Sequence, residues 1–89
     1  MVIETKTEHP HIVRVMRPAG EQAVIRGTMI GVWFIVRQLR TGDRPEQIVE
    51  SLPHLTLAGV YDAISYYHDH RGEIDPIIER TDRMAALQG

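Results

Sequence analysis

The first third of the chain alternates apolar and polar residues at the spacing of β-strands. Residues 11–16 are rich in β-branched side chains, and a second short run covers residues 23–26, so the pattern predicts two strands. Between them, Pro18 and Gly20 occupy the second and fourth positions of a sequence that fits a type I turn. We therefore expect a short β-hairpin.

Helical periodicity follows the hairpin. Residues 31–41 are predicted to form a first helix, with Trp33 in the core, and Gly42 fits the left-handed position that ends a helix. A second helix should end at Pro53, and Thr56 is a good N-cap for a third. Asp75-Pro76 is typical of the start of a last helix.

These elements predict a mainly α fold: a short N-terminal β-hairpin, a trihelical helix–turn–helix core and a C-terminal helix. Residues 1–10 are expected to form a flexible N-terminal arm, and residues 11–72 the hairpin plus helix–turn–helix domain. Residues 73–89 are expected to form a C-terminal helix that binds a partner or covers a dimer. Two short strands are marginally stable alone, and an 89-residue chain buries a small core. We therefore expect a homodimer.

Composition limits the compartment and the class of protein. The chain has no cysteine, which excludes disulfides and thiolate metal sites and is consistent with a reducing environment. The longest apolar stretch, residues 30–36, is too short to span a bilayer, and the N-terminus lacks the pattern of a signal peptide. The sequence therefore predicts a cytoplasmic protein that does not enter the membrane.

Charge is distributed unevenly along the chain, although the net charge is only −2. Residues 1–44 hold seven cations and four acids, whereas residues 45–89 hold three cations and eight acids. A basic half is suited to phosphate and an acidic half to a basic protein. The alternative is that both halves are solvated faces.

Neither metal binding nor catalysis is predicted. His68 and His70 are two residues apart on a predicted helix, so their side chains diverge by about 200° and cannot chelate one ion. His9 and His11 flank a proline in an extended segment and cannot chelate without other ligands. No nucleophile elbow surrounds the serines, and the glycines match no phosphate-binding loop. We therefore expect no metal, no cofactor, no small-molecule substrate and no enzymatic activity.

A combination of short motifs carries a family resemblance. The matching residues include His11-Ile12-Val13, Val24-Ile25-Arg26-Gly27-Thr28, Pro45-Glu46 and Pro53-His54-Leu55-Thr56-Leu57. Together they resemble the bacterial domain of unknown function 433 family, whose antitoxin-like members include some that lie beside toxins with a PIN-type ribonuclease fold. The resemblance implies a dimeric helix–turn–helix protein that binds DNA and holds a toxin. Ala23, Met29 and Gly31 depart from the family, which usually has Pro, Arg and Pro there.

The resemblance and the charge pattern together predict a DNA-binding, antitoxin-like regulator. It would bind its own promoter as a homodimer and neutralise a PIN-type ribonuclease toxin. Phosphate contacts are also assigned to Arg14 and Arg17. The residues predicted to contact DNA are Arg26, Thr28, Arg37, Arg40, Arg44, His54, Thr56, Ala58 and Gly59. Those predicted to contact the toxin or the second subunit are Ile74, Ile77, Ile78, Met84 and Leu87. The alternative is a protein-interaction or dimerisation module that does not bind DNA.

Overall fold

The fold consists of a small antiparallel sheet followed by helices. A computed structural model describes residues 3–88, and within them three strands precede four helices. The elements are β1 (Glu4–Lys6), β2 (Ile12–Arg17), β3 (Gly20–Ile25), α1 (Val32–Arg40), α2 (Pro45–Ser51), α3 (Leu57–Asp69) and α4 (Arg71–Gln88).

The sheet is a meander in which β2 is the central strand. Its order is β1-β2-β3 with both pairings antiparallel, so the expected hairpin is present as β2 and β3 and β1 adds a third strand. Ile12 lies opposite Ile25 and Arg14 opposite Ala23, and these four side chains share one face because strand residues two apart point the same way. That face packs against the helices.

One core joins the sheet to all four helices. Its buried residues are Ile12, Ala23, Ile25, Val32, Ile35, Val36, Ile48, Leu55, Val60, Ala63, Tyr66, Ile74 and Ile78. A second, smaller cluster on the other face of the sheet contains Val13, Val15 and Val24. Since residues from every helix and from both longer strands meet in the main cluster, removing any one element would expose it.

The prediction of a mainly α protein with a trihelical helix–turn–helix core is therefore wrong. The fold is mixed α and β, because the sheet contributes one wall of the core and α4 contributes Ile74 and Ile78 to its centre. Within the part of the chain that the structure describes, Glu4 to Lys6 pair with β2, so the segment predicted to be an arm contains an edge strand. Helices α1 and α3 pack against the sheet, and α4 packs against both of these helices through its first half.

Local signals explain most helix ends. Gly42, with a φ of 104°, follows α1 as predicted. The hydroxyl of Thr56 accepts a hydrogen bond from the Gly59 N–H at 3.0 Å and caps α3. The last helix starts at Arg71 rather than beside Pro76, which lies inside it. Among residues 3–88, no helix combines the length and the apolar character needed to cross a membrane.

Candidate interaction surfaces

Three of the arginines predicted to contact phosphate are held by carboxylates of α4. The guanidinium of Arg14 donates to both carboxylate oxygens of Glu73, at 2.6 and 3.2 Å. The Nε of Arg37 lies 2.7 Å from Asp82 Oδ1. Bidentate and charge-assisted hydrogen bonds of this kind orient the guanidinium plane and reduce its charge toward a ligand. These cations therefore join elements of the fold.

Arg40 belongs to a three-member network on the same side. Its Nη2 lies 2.8 Å from Asp75 Oδ1 and 2.9 Å from the Tyr67 hydroxyl, which itself donates to Asp75 at 2.8 Å. The hydrogen bond from Tyr67, followed by that from Arg40, holds the pKa of Asp75 below its ordinary value. The network ties α1 and α3 to α4.

The start of α3, predicted to read DNA, is used for packing. The Thr56 hydroxyl is engaged as the N-cap, and Gly59 is buried. A Cβ at Gly59 would lie 3.2 Å from Thr56 Oγ1 and 3.4 Å from a methyl carbon of Ile25, so the glycine lets α3 approach β3 closely. Ala58 and His54 are exposed. This surface offers few donors for the edges of bases.

Two of the arginines predicted to contact DNA remain available to a ligand. Arg26 and Arg44 are exposed, and within residues 3–87 neither forms an ion pair. Thr28, by contrast, is satisfied inside its own turn, where its hydroxyl donates to the Ile25 carbonyl at 2.8 Å and accepts from the Ile30 N–H at 3.0 Å. The basic half of the sequence therefore presents a smaller free cationic surface than its composition predicts.

The residues predicted to bind a partner fall into two groups. Ile74 and Ile78 are each 1% exposed and belong to the core, so they are not surface residues. Ile77 is half-buried, whereas Met84 is 58% exposed and Leu87 is 82% exposed. Sequence periodicity identified the apolar row but could not show where the core beneath it ends.

A second apolar surface lies at the start of α1. Trp33, predicted to be core, is only partly buried and packs edge-to-face on Phe34, with ring centroids 6.0 Å apart. Together with Met29 and Leu52 these rings line a groove of about 250 Å³. Gly31 is necessary for this arrangement, since a Cβ there would lie 2.6 Å from the Trp33 ring. The groove is open and weakly polar.

A polar cluster connects the segment before β2 to the end of α3. His9 is 7% exposed, its Nδ1 lies 3.0 Å from Asp62 Oδ1, and its Nε2 lies 2.8 Å from Asp69 Oδ2. Burial lowers the pKa of His9, but the hydrogen bonds to Asp62 and Asp69 outweigh it and leave the pKa raised. No local pattern in the sequence relates His9 to Asp62 and Asp69, which lie more than 50 residues away, so this cluster was not predicted.

Comparison with known proteins gives a family for the chain. A family model described as a protein of unknown function (DUF433) matches residues 16–67, which is more than half of the sequence. The chain belongs to the DUF433 family. No curated protein and no solved structure matched it.

The DUF433 match does not cover His9 or the exposed end of α4. The matched residues run from the end of β2 to near the end of α3. His9 precedes the match, and Met84 and Leu87 follow it on α4. Membership of the DUF433 family therefore does not describe the His9 cluster or the exposed end of α4, and both must be interpreted from their own chemistry.

Proposed function

We propose that this protein is an antitoxin-like regulator that acts in the cytoplasm. Its principal activity is to hold a ribonuclease-type protein partner through the distal half of α4, residues 79–87. The observation that carries the proposal is the exposure of Met84 and Leu87 on a helix whose first half is anchored in the core. The resemblance of the sequence motifs supplies the class of partner.

Three apolar side chains lie on one side of α4, with Arg80 and Thr81 between the first and the second of them. Met84 follows Ile77 by seven residues, which is close to two turns, and Leu87 follows Met84 by three, so the three side chains lie along one side of α4. Ile77 is half-buried at the edge of the core, and the other two lie beyond it. An amphipathic helix that extends its apolar row past its own core is suited to a groove on another protein.

Charged residues lie within and beside this row. Arg80 and Arg83 are exposed and form no ion pair within the described residues, whereas Asp82 is paired with Arg37. Protein interfaces commonly have an apolar centre with a polar rim. The expected complement on the partner is therefore an apolar groove with acidic groups at its edge.

The proposal predicts that a ribonuclease is encoded beside this gene, and co-expression of the two proteins tests it. We expect a complex on size-exclusion chromatography with light scattering, and loss of ribonuclease activity within it. Met84→Glu combined with Leu87→Glu should abolish both, because it places charge in the apolar contact. Met16→Glu is the matched control, since Met16 is 70% exposed on β2 and should leave the complex intact. Full inhibition by the double variant would contradict the proposal.

DNA binding is the second candidate function, and Arg26 and Arg44 are the free cations that favour it. Fluorescence anisotropy with the upstream promoter should then show binding that weakens steeply with salt, because phosphate contacts dominate such an interface. Arg44→Gln should weaken binding to promoter and scrambled duplex alike and lower the salt slope by about one. If neither duplex binds at low salt, the function is protein interaction alone.

A homodimer stays a prediction. Light scattering of the isolated protein measures it directly against the monomer mass of 10.2 kDa. A monomeric mass at high concentration would contradict it.

A further inference from the structure

Three potential metal ligands converge where the segment before β2 meets the junction of α3 and α4. The Nε2 of His9, the Nε2 of His70 and a carboxylate oxygen of Glu8 lie within 4.8 Å of one another. Glu8 Oε1 is 3.7 Å from His9 Nε2 and in direct contact with His70 Nε2. Ligands separated by some 60 residues in the sequence thus meet at one point of the fold.

We propose that Glu8, His9 and His70 bind a divalent transition-metal ion of the zinc type. Imidazole nitrogen and carboxylate oxygen are ligands that Zn²⁺ accepts, at about 2.0 to 2.2 Å from the metal. Ligand atoms around a tetrahedral ion are then about 3.4 Å apart, so the three groups need to move by little more than 1 Å. The exposed carboxylate of Glu8 can make most of that adjustment.

The orientation of His9 is the strongest sign of a site. Asp62 Oδ1 lies 3.0 Å from its Nδ1, and Asp62 Oδ2 accepts from the His11 backbone N–H at 2.8 Å. Asp62 therefore accepts the Nδ1 proton, which leaves Nε2 as the nitrogen that faces the other carboxylates, 2.8 Å from Asp69 Oδ2 and 3.7 Å from Glu8 Oε1. Metal-binding histidines in proteins are commonly oriented by a carboxylate in this way.

The remaining neighbours are compatible with a bound cation. Asp69 Oδ2 lies 2.8 Å from His9 Nε2, so its carboxylate adds negative charge beside the ion. His70 is fixed by stacking on Tyr66, with ring centroids 4.2 Å apart and planes inclined by 22°. A metal here would connect the start of β2 to the start of α4, and would stabilise the folded chain because the ligands come together only on folding.

The alternative is a cluster held by hydrogen bonds and ion pairs alone, and the addition of metal distinguishes the two. We expect untagged protein to bind one equivalent of Zn²⁺ in calorimetry and to melt at a higher temperature with zinc than without it. Co²⁺ should give the visible absorption bands of a tetrahedral site with nitrogen and oxygen ligands. Absence of stoichiometric binding of either ion would overturn the proposal.

Variants locate the site. His70→Gln and Glu8→Gln should each lose the zinc-induced rise in melting temperature, whereas Asp62→Asn should weaken zinc binding by about 10- to 100-fold. His68→Gln is the matched control, because His68 is exposed near the end of α3, two residues before His70 and outside the cluster, and it should bind zinc like the wild type. Because each variant is compared with itself in the presence and absence of zinc, any loss of metal-free stability does not affect the result. Binding that survives in His70→Gln, or that is lost in His68→Gln, would assign the ion to another site.

Discussion

The two halves of α4 have the same helical geometry but different surroundings. In the first half, Ile74 and Ile78 are each 1% exposed, and Glu73 and Asp75 bind arginines from β2 and α1. In the second half, the ion pair of Asp82 with Arg37 is the only one found among residues 79–87, and Leu87 is exposed. One helix therefore serves the core at one end and presents an apolar surface at the other.

The difference separates stability from binding. Side chains in the first half contribute to the free energy of unfolding because they leave water on folding. Side chains in the second half stay in water in the isolated chain, so their substitution changes little until a partner covers them. A substitution in the first half should therefore lower the free energy of unfolding, whereas a matched substitution in the second half should weaken binding of the partner.

The largest expected effect follows from Ile78→Ala. Removing a buried isoleucine should lower the free energy of unfolding by about 2 to 5 kcal/mol, because it loses transfer energy and leaves a cavity. The matched control is Leu87→Ala, which should change it by no more than about 0.5 kcal/mol. Urea denaturation followed by circular dichroism measures both. Equal losses would mean that the second half of α4 is also part of the folded core.

Glu73→Gln should have the next largest effect. The Glu73 carboxylate accepts two hydrogen bonds from Arg14 and one from the Tyr66 hydroxyl at 2.9 Å, and Glu73 and Arg14 are both about three-quarters buried. Loss of charge-assisted bonds at such a site should cost about 1 to 3 kcal/mol in chemical denaturation.

Asp82→Asn is the counterpart in the second half of the helix. Its carboxylate and Arg37 are both more than a third exposed, so the pair is screened by water. The substitution should cost about 0.2 to 1 kcal/mol at most. A loss as large as that of Glu73→Gln would contradict the division of the helix into two halves.

Local signals in the sequence predicted the individual strands and helices more accurately than they predicted how these elements pack together. Interactions within a short segment are enough to predict the N-cap at Thr56, the helix end at Gly42 and the two longer strands. The start of α4 was placed too late, because Asp75 resembles an N-cap yet binds Tyr67 and Arg40 instead. Pairing of β1 was missed because all three of its residues are exposed and carry no apolar pattern.

The candidate sites were harder to predict because they depend on distant residues. The excess of cations in residues 1–44 indicated that the arginines bind phosphate, but a sequence cannot show that Glu73, Asp75 and Asp82 lie within reach of three of them. His9 and His70 are far apart in sequence, and only the packing of β2 on α3 brings them together. The periodicity of α4 predicted an apolar surface at the end of the chain. Ile74 and Ile78 do not belong to that surface, because both are buried in the core.

The smallest expected effect concerns pH and Asp75, at the anchored end of α4. The hydrogen bond from Tyr67 holds its pKa below the ordinary value of 3.8 in the folded protein. The resulting stabilisation is fully present above the pKa of the unfolded chain and is lost as the pH falls through the lower folded pKa. Asp75→Asn should therefore melt slightly below the wild type at neutral pH, and the two should converge between about pH 5 and pH 2.

Thermal melts of both proteins across that range test this expectation. Tyr67→Phe is the informative control, because it removes the main donor and keeps the carboxylate, so it should show most of the same convergence. The exposed position of Asp75 keeps the effect small, since water competes for its oxygens. A difference that widened on acidification would mean that protonated Asp75 is the better partner of Tyr67 and Arg40, and the anchoring of α4 by this ion pair would have to be abandoned.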